Sequence, residues 1–521
     1  MQPPKTAGNQ RTGDSSEASF AQPDWTWASE LTLGLLSAAA TVLRFLFLTR
    51  KPFWFDECFS AEVAGLSWHD FLRLLWWREA NMSLYYVLLR GWLHFGFSPF
   101  FIRSLSVLCS LATLPAVFWL GCRLFDRRVG LIAVALMSCN AYSIRYAQEA
   151  RSYALFMLLA TLSSGFFIGW LREPSKRNRW GYILASTLAV YAHFYALLLV
   201  AAHWLSARWW EKSQDFGNPV ATRSTLRRTW IAIGLAVLPL LAFVVKTGAG
   251  PIRWIVRPGF HDLLDFWEHL AGNDGLPLLL LYAAACLSAL IPPRERLLRI
   301  GAGWEVWRLQ FLMIWLLFPM GLILLLSLAR PIFLGRYFIF CLPALFILAA
   351  AGLANLRKGW LAAACLAAML LLSLQGTFSY YDHDFDLERD GSAAAANYIY
   401  DHAQPGDAIL FHIAEARIPY EFFGSIRATD SRSELAHGPE IIFPRHGDRL
   451  DYRDVTGNPS VEFIRSVASR YGRVWVVLMS NGIPGHPDAT TLMVEQSLGE
   501  GFPRVEREQF PQVEVELYKK R

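Results

Sequence analysis

The stretch TRKPFWFDECFSAEV, residues 49–63, decides how the chain is read. It follows an apolar run ending FLFLTRKP and sets Asp56 and Glu57 side by side where the chain leaves that run. Of 521 residues, 54% are hydrophobic and 14% aromatic, with 21 Trp, a composition far from that of an ordinary soluble globule. The chain therefore reads as an α-helical polytopic membrane protein, and the stretch as the start of a loop emerging from its first span. Residues 1–30 are polar and rich in Gln, Ser, Thr and Pro, which reads as a disordered cytoplasmic tail. The first span carries no small-residue cleavage site and reads as uncleaved.

A helix needs roughly 20 apolar residues to cross a bilayer core. Candidate runs lie at 31–49, 101–122, 129–147, 152–171, 180–193, 194–209, 230–247, 275–291, 309–328, 337–355 and 360–378. That predicts about eleven spans, with 180–209 readable as two short helices or one long tilted one. The net charge of +6 is concentrated: five loops between these runs, beginning CRLFDRRVG and ending NLRKGW, hold 18 Lys and Arg. Basic loops of this kind face the cytoplasm, so the charge reports topology and not nucleic-acid binding. For the loops to alternate correctly, the amphipathic segment SLYYVLLRGWLHFGF, residues 83–97, has to lie along the outer interface.

The same parity places the first loop, residues 50–100, and residues 379–521 outside. In the latter, SAAAANYIYDHAQPGD reads as a helix with a turn stop, and AILFHI, RVWVVLM and VEVELYKK read as strands. A soluble α/β domain of about 140 residues fits there. Of seven Cys, six lie in or at the ends of apolar runs and Cys58 is alone in its loop, so neither a disulfide nor a zinc–thiolate site is expected. No Walker, GxGxxG or HExxH motif occurs.

The chemistry-bearing candidates gather at the outer face. A carboxylate there can act as a base near neutral pH, which nominates Asp56 and Glu57; the plainer alternative is a charge pair neutralised by Arg50 and Lys51. Arg145, Glu149 and Arg151 in SIRYAQEARSYALF form either a helix-end ion pair or a guanidinium set for an anion. Arg336 and Tyr337 enter an apolar helix from outside, where a guanidinium needs an anionic partner. Convergent Arg side chains with a carboxylate base fit a phosphate leaving group. Glu79 and His269 are external and together could ligate a divalent metal ion, though two ligands are an incomplete set. His193 at a span end either caps the helix or touches substrate.

The stretches FWFDE, LYYVLLRGWLHFG, IRSLSVL, RLFDRRVGLIAVALM, YAQEARSYAL, AHFYALLL and GRYFIFCLPALFILAAAGL, in this order, resemble the GT-C membrane glycosyltransferases. The resemblance is to the branch holding protein O-mannosyltransferases (glycosyltransferase family 39-like) and the lipid A aminoarabinose transferase, and it covers most of residues 31–378. It implies an inverting transfer of a sugar from a polyprenyl-phosphate-linked donor to a lipid, glycan or protein acceptor, at the outer face of what is expected to be a bacterial inner membrane. It further implies Asp56 as the base that activates the acceptor, and a substrate cavity near Glu149, His193 and Tyr85. Arg336, Tyr337, Arg151 and Arg145 would meet the donor phosphate, and Glu79 and His269 are similar in placement to a metal pair in the aminoarabinose transferase. One departure is EANMSLYY, where many relatives carry a Pro before the LYY helix.

A polytopic secondary transporter or flippase of a lipid-linked or anionic substrate would also explain many spans with interfacial charges. Transporters place such groups near the midplane and show internal repeats, whereas here the charges gather at one face and no repeat is visible. A non-enzymatic assembly protein is the third reading.

Overall fold

The structure is a computed structural model that describes residues 27–212, 223–248, 255–272, 275–291, 302–383, 391–429, 438–447, 450–479, 482–483 and 486–520. Among these, seven helices are long and apolar enough to cross a membrane: Trp27–Phe45, Pro99–Leu124, Tyr153–Arg172, Ser224–Thr247, Gly303–Ala329, Gly335–Asn355 and Gly359–Asp382. Two bent pairs bring the number to nine if each is one span. Two further helices, Lys176–Ala192 and Ala196–Lys212, have 17 residues each. The run at 180–209 is thus two helices, broken at His193–Tyr195.

Asn140 explains the sharpest departure from a straight span. Arg127–Cys139 and Ala141–Ala147 meet at 66°. The Asn140 side chain caps the second helix by accepting the Ser143 N–H at 2.8 Å, and its amide donates to the Leu270 and Ala271 carbonyls at 3.2 and 2.8 Å. An Asn competes with helical backbone bonds, so the helix breaks where that side chain finds better partners. The short second helix therefore turns back toward the loop end of the bundle. Phe260–Ala271 and Leu276–Leu290 bend by 73° beside it.

Arg44 ties the first span down. Its guanidinium is fully buried and donates to Ser110 Oγ, Ser143 Oγ and the Ser138 and Met137 carbonyls. A charge at that depth persists only when its donors are satisfied.

Between the first and second long helices lie three short ones, Phe55–Gly65, Trp68–Trp77 and Ser83–Trp92. Ten residues make about 15 Å of helix, half a bilayer core, so Ser83–Trp92 does not span it. The C-terminal region is an α/β unit with strands β1 (Ala408–Phe411), β2 (Glu440–Phe443), β3 (Arg473–Met479), β4 (Gly482–Ile483), β5 (His486–Pro487), β6 (Arg504–Phe510) and β7 (Val513–Lys519). Its main sheet runs β2-β1-β3-β7-β6, with β2, β1 and β3 parallel and β7 and β6 antiparallel. β1 and β3 are buried on both faces, as near-continuous apolar strands between helical layers are. The expected strands at AILFHI, RVWVVLM and VEVELYKK are β1, β3 and β7; β2 is a short EIIF run outside those expected, and β6 is mostly polar. Helix Gly359–Asp382 runs to Asp382, past the span end read at 378.

Candidate functional site

The site is built on one 11-residue helix, Phe55–Gly65, which starts after Pro52 has closed off the preceding turn. Asp56 and Glu57 lie in its first turn, where negative charge opposes the helix dipole favourably. Consecutive residues on a helix point about 100° apart, so the two carboxylates face different surroundings.

Glu57 points inward and is fully buried. Arg103 Nε and Nη2 donate to its two oxygens at 2.8 and 2.6 Å, and the Ala150 N–H donates at 2.8 Å. The remaining Arg103 donors go to the Leu48, Lys51 and Pro52 carbonyls. This bidentate pair staples the helix to Pro99–Leu124, and the expectation of Glu57 as a second base is corrected: its lone pairs are committed to structure. Nor do Arg50 and Lys51 neutralise the acidic pair. Arg50 faces Asp382 at 3.8 Å and Lys51 donates to the Tyr380 carbonyl.

Asp56 stands between two guanidiniums instead. Its Oδ2 lies 3.7 Å from Arg151 Nη2 and 3.9 Å from Arg336 Nη2. Both distances exceed a charge-assisted hydrogen bond, so these are loose ion pairs. Arg151 Nη1 meets Tyr86 Oη at 3.2 Å, and the Arg336 guanidinium lies 5.6 Å from the Trp54 ring centroid. Arg151 itself sits in the irregular link that the Asn140 bend creates, and Tyr86 follows Met82, whose φ of +66° turns the chain into its helix.

Three buried polar atoms here have no hydrogen-bond partner in the protein: Arg151 Nε, Tyr153 Oη and His193 Nε2. Buried polar groups are nearly always paired, so three orphans in one cluster point to a ligand or bound water. His193 accepts the Tyr195 N–H on Nδ1, and its ring packs 4.5 Å from Tyr337 and stacks 5.2 Å from Phe156. It therefore both structures the break between two helices and turns Nε2 toward the cluster's aromatic wall.

Beside Asp56 opens a cavity of about 420 Å³, lined among others by Trp54, Tyr146, Arg145, Glu149, His269 and Arg336. Arg145 Nε lies 3.5 Å from Glu149 Oε1. The wall formed by Ile255–Pro258 and by Asp262 and Asp265 was not read from the sequence, because exposed acidic residues after a loop resemble ordinary solvated ones.

Tyr85, expected in the cavity, is corrected to a packing role: it is fully buried, and its hydroxyl bonds Ser106 Oγ at 2.9 Å. Its neighbour Tyr86 is the one that touches Arg151. Glu79 lies by Asp56, Arg151 and Tyr86, where burial first, countered by Arg151 and reinforced by Asp56, raises it to about 7. His269 lies on the Arg145 side of the cavity and bonds its own helix at the Asp265 carbonyl. Among the described residues, the one group of three His, Cys, Asp or Glu with ligand atoms within 4.8 Å is His446, Asp451 and Asp454 in the C-terminal region, and Glu79, Asp56 and His269 form none.

No protein-family model matches the chain, and no curated protein does. Among solved structures, ArnT from Cupriavidus metallidurans in the apo state is similar at 12% identity and a TM-score of 0.61, covering 95% of this chain and 99% of that one. The same protein bound to undecaprenyl phosphate is similar at 12% identity and a TM-score of 0.58, covering 93% and 97%. At such identity the likeness is one of fold, and it runs through nearly the whole of both chains: this protein shares the fold of that structure.

Proposed function

We propose that the chain is an inverting glycosyltransferase that moves a sugar from a polyprenyl-phosphate-linked donor to a lipid, glycan or protein acceptor at the periplasmic face of the bacterial inner membrane. The observation that carries this reading is Asp56 held loosely by Arg151 and Arg336 beside a cavity lined by aromatic side chains and by both Arg and carboxylate groups. A structure of the same fold holds undecaprenyl phosphate.

The chemistry follows from these groups. Without donor, both guanidiniums lean on Asp56. A phosphate diester offers them closer bidentate contacts, and when they turn to it the Asp56 carboxylate is left to face the acceptor. Asp56 then takes the proton of the acceptor hydroxyl as its oxygen attacks the anomeric carbon. The bond from that carbon to the phosphate oxygen breaks, polyprenyl phosphate leaves as an anion, and configuration inverts. Arg151 and Arg336 stabilise the charge that builds on the leaving group. Tyr337, which follows Arg336 in the chain, packs against His193, and no step is routed through a metal.

Lipid extracts of a strain lacking the gene, compared with wild type by mass spectrometry, test the reading. The expected result is one polyprenyl-phosphate sugar that accumulates and falls again on complementation. Unchanged lipid-linked sugars with an altered distribution of an anionic solute would favour the transport reading.

A further inference from the structure

The Phe55–Gly65 helix has a third face, and it is covered by the C-terminal region. Phe53, just before the helix, stacks on Phe422 with ring centroids 4.9 Å apart and planes at 20°. Phe97, from the end of the first loop, lies 6.0 Å from the same ring. Phe422 and Ile418 come from helix Arg417–Thr429 and belong to the core of the membrane-spanning part, not to the two apolar cores that flank the C-terminal sheet. Phe55 packs against both regions. Seven residues on from Phe55, two helical turns along the same face, Glu62 lies within electrostatic range of Glu421 and Arg417. Further along the loop, Arg73 Nη1 donates to Tyr452 Oη at 3.1 Å.

An 11-residue helix is marginal on its own, and most of its order comes from what it packs against. One face is fixed by Glu57 and Arg103. Its other large contacts are helix Ser83–Trp92 and, from the C-terminal region, helix Arg417–Thr429. We propose that the C-terminal domain is a positioning element for the transfer site, with the stack of Phe422 on Phe53 as the contact through which helix Arg417–Thr429 sets the placement of the helix that carries Asp56.

Glu62 adds a pH dependence to this grip. Burial, with Glu421 adding to it and Arg417 opposing it, pushes Glu62 up to about 8 from an ordinary value of 4.5. The charged and titratable groups that face it are Arg417 and Glu421 on the docking helix and Tyr400 on Ser392–His402; Arg417 is itself paired to Glu421 and Asp454. A carboxyl raised in the docked state binds its proton more tightly there than when released. Docking therefore weakens as pH climbs from about 4.5 to about 8 and is constant beyond.

Hydrogen exchange of the full chain in lipid nanodiscs tests this without any transfer assay, so its outcome is separate from that of the glycosyltransferase reading on which only the catalytic consequence rests. Phe422→Ala should speed exchange at residues 55–65 at least tenfold and leave Tyr153–Arg172 unchanged, with Phe422→Leu restoring most of the protection. In wild type, exchange at 55–65 should rise between pH 6 and pH 8 beyond the intrinsic base catalysis, and Glu62→Gln should abolish that excess. Should Phe422→Ala fail to fold, Phe53→Leu, which removes the same ring stack from the other side, decides by exchange at 55–65. Unchanged exchange at 55–65 in Phe422→Ala, or an excess pH dependence that survives in Glu62→Gln, overturns the proposal. On the transfer reaction, Phe422→Ala should lower kcat about tenfold and leave KM for the donor within twofold.

Discussion

Asp56 and Glu57 are adjacent in sequence and opposite in circumstance. Glu57 is sealed from water, its oxygens accept three hydrogen bonds of 2.6 to 2.8 Å, and its guanidinium partner is itself saturated. Asp56 is partly open, its two guanidiniums stand 3.7 and 3.9 Å away, and buried polar atoms around it lack protein partners. A satisfied ion pair holds a structure together and has nothing left to offer a ligand. A loose one beside a cavity can exchange its partner for substrate, and that difference separates the staple from the site.

The largest effect expected from breaking this contrast is on the staple. Arg103→Ala leaves Glu57 buried and unpaired, which costs about 3–5 kcal/mol, and a thermal-unfolding series should show a large drop in Tm. Asp56→Ala, measured alongside, should leave Tm nearly unchanged. Second, Arg336→Lys keeps the charge but cannot make a bidentate contact, so affinity for undecaprenyl phosphate should fall about tenfold, ~1.4 kcal/mol, by equilibrium titration. A double-mutant cycle with Glu149 distinguishes the rival structural role, in which the lysine variant binds normally and the two positions couple strongly. The smallest effect concerns Glu79. Burial raises it to about 7, so its ionisation costs the folded protein stability as pH rises from about 4.5 to about 7, and none further above that. Glu79→Gln should remove this slope, and Tm measured at pH 5 and pH 8 in both proteins checks it.

Much of this was legible in the sequence because apolar runs and basic loops obey simple rules. The elements at 31–49, 101–122 and 152–171 follow from composition, and that the segment 83–97 is not a span follows from the alternation that the basic loops demand. Asp56, Arg151 and Arg336 were also legible, since each is a charge at the margin of an apolar helix. What was hidden depends on partners far along the chain. Nothing near Glu57 announces Arg103, 46 residues on, and nothing in LMSCNAYS shows that Asn140 bonds the end of a helix 130 residues away. Tyr85 and Tyr86 differ by one step of helix, a rotation that decides which ring meets Arg151 and that sequence alone does not phase. The cavity wall at Ile255–Pro258 and Asp262 carries no motif, because its residues matter only through where the bent pair places them.

The account turns on Asp56 as a base that the two guanidiniums release when phosphate arrives. Its most direct test is Asp56→Asn measured for both donor-phosphate binding and transfer on the same purified protein. The amide keeps the shape, removes the proton acceptor and removes the charge that competes for Arg151 and Arg336. Transfer should fall by about 10²–10⁴, while undecaprenyl phosphate binds as well as or more tightly than to wild type. Wild-type turnover in that variant would contradict the assignment of the base, and loss of phosphate binding would contradict the exchange of partners on which the mechanism depends.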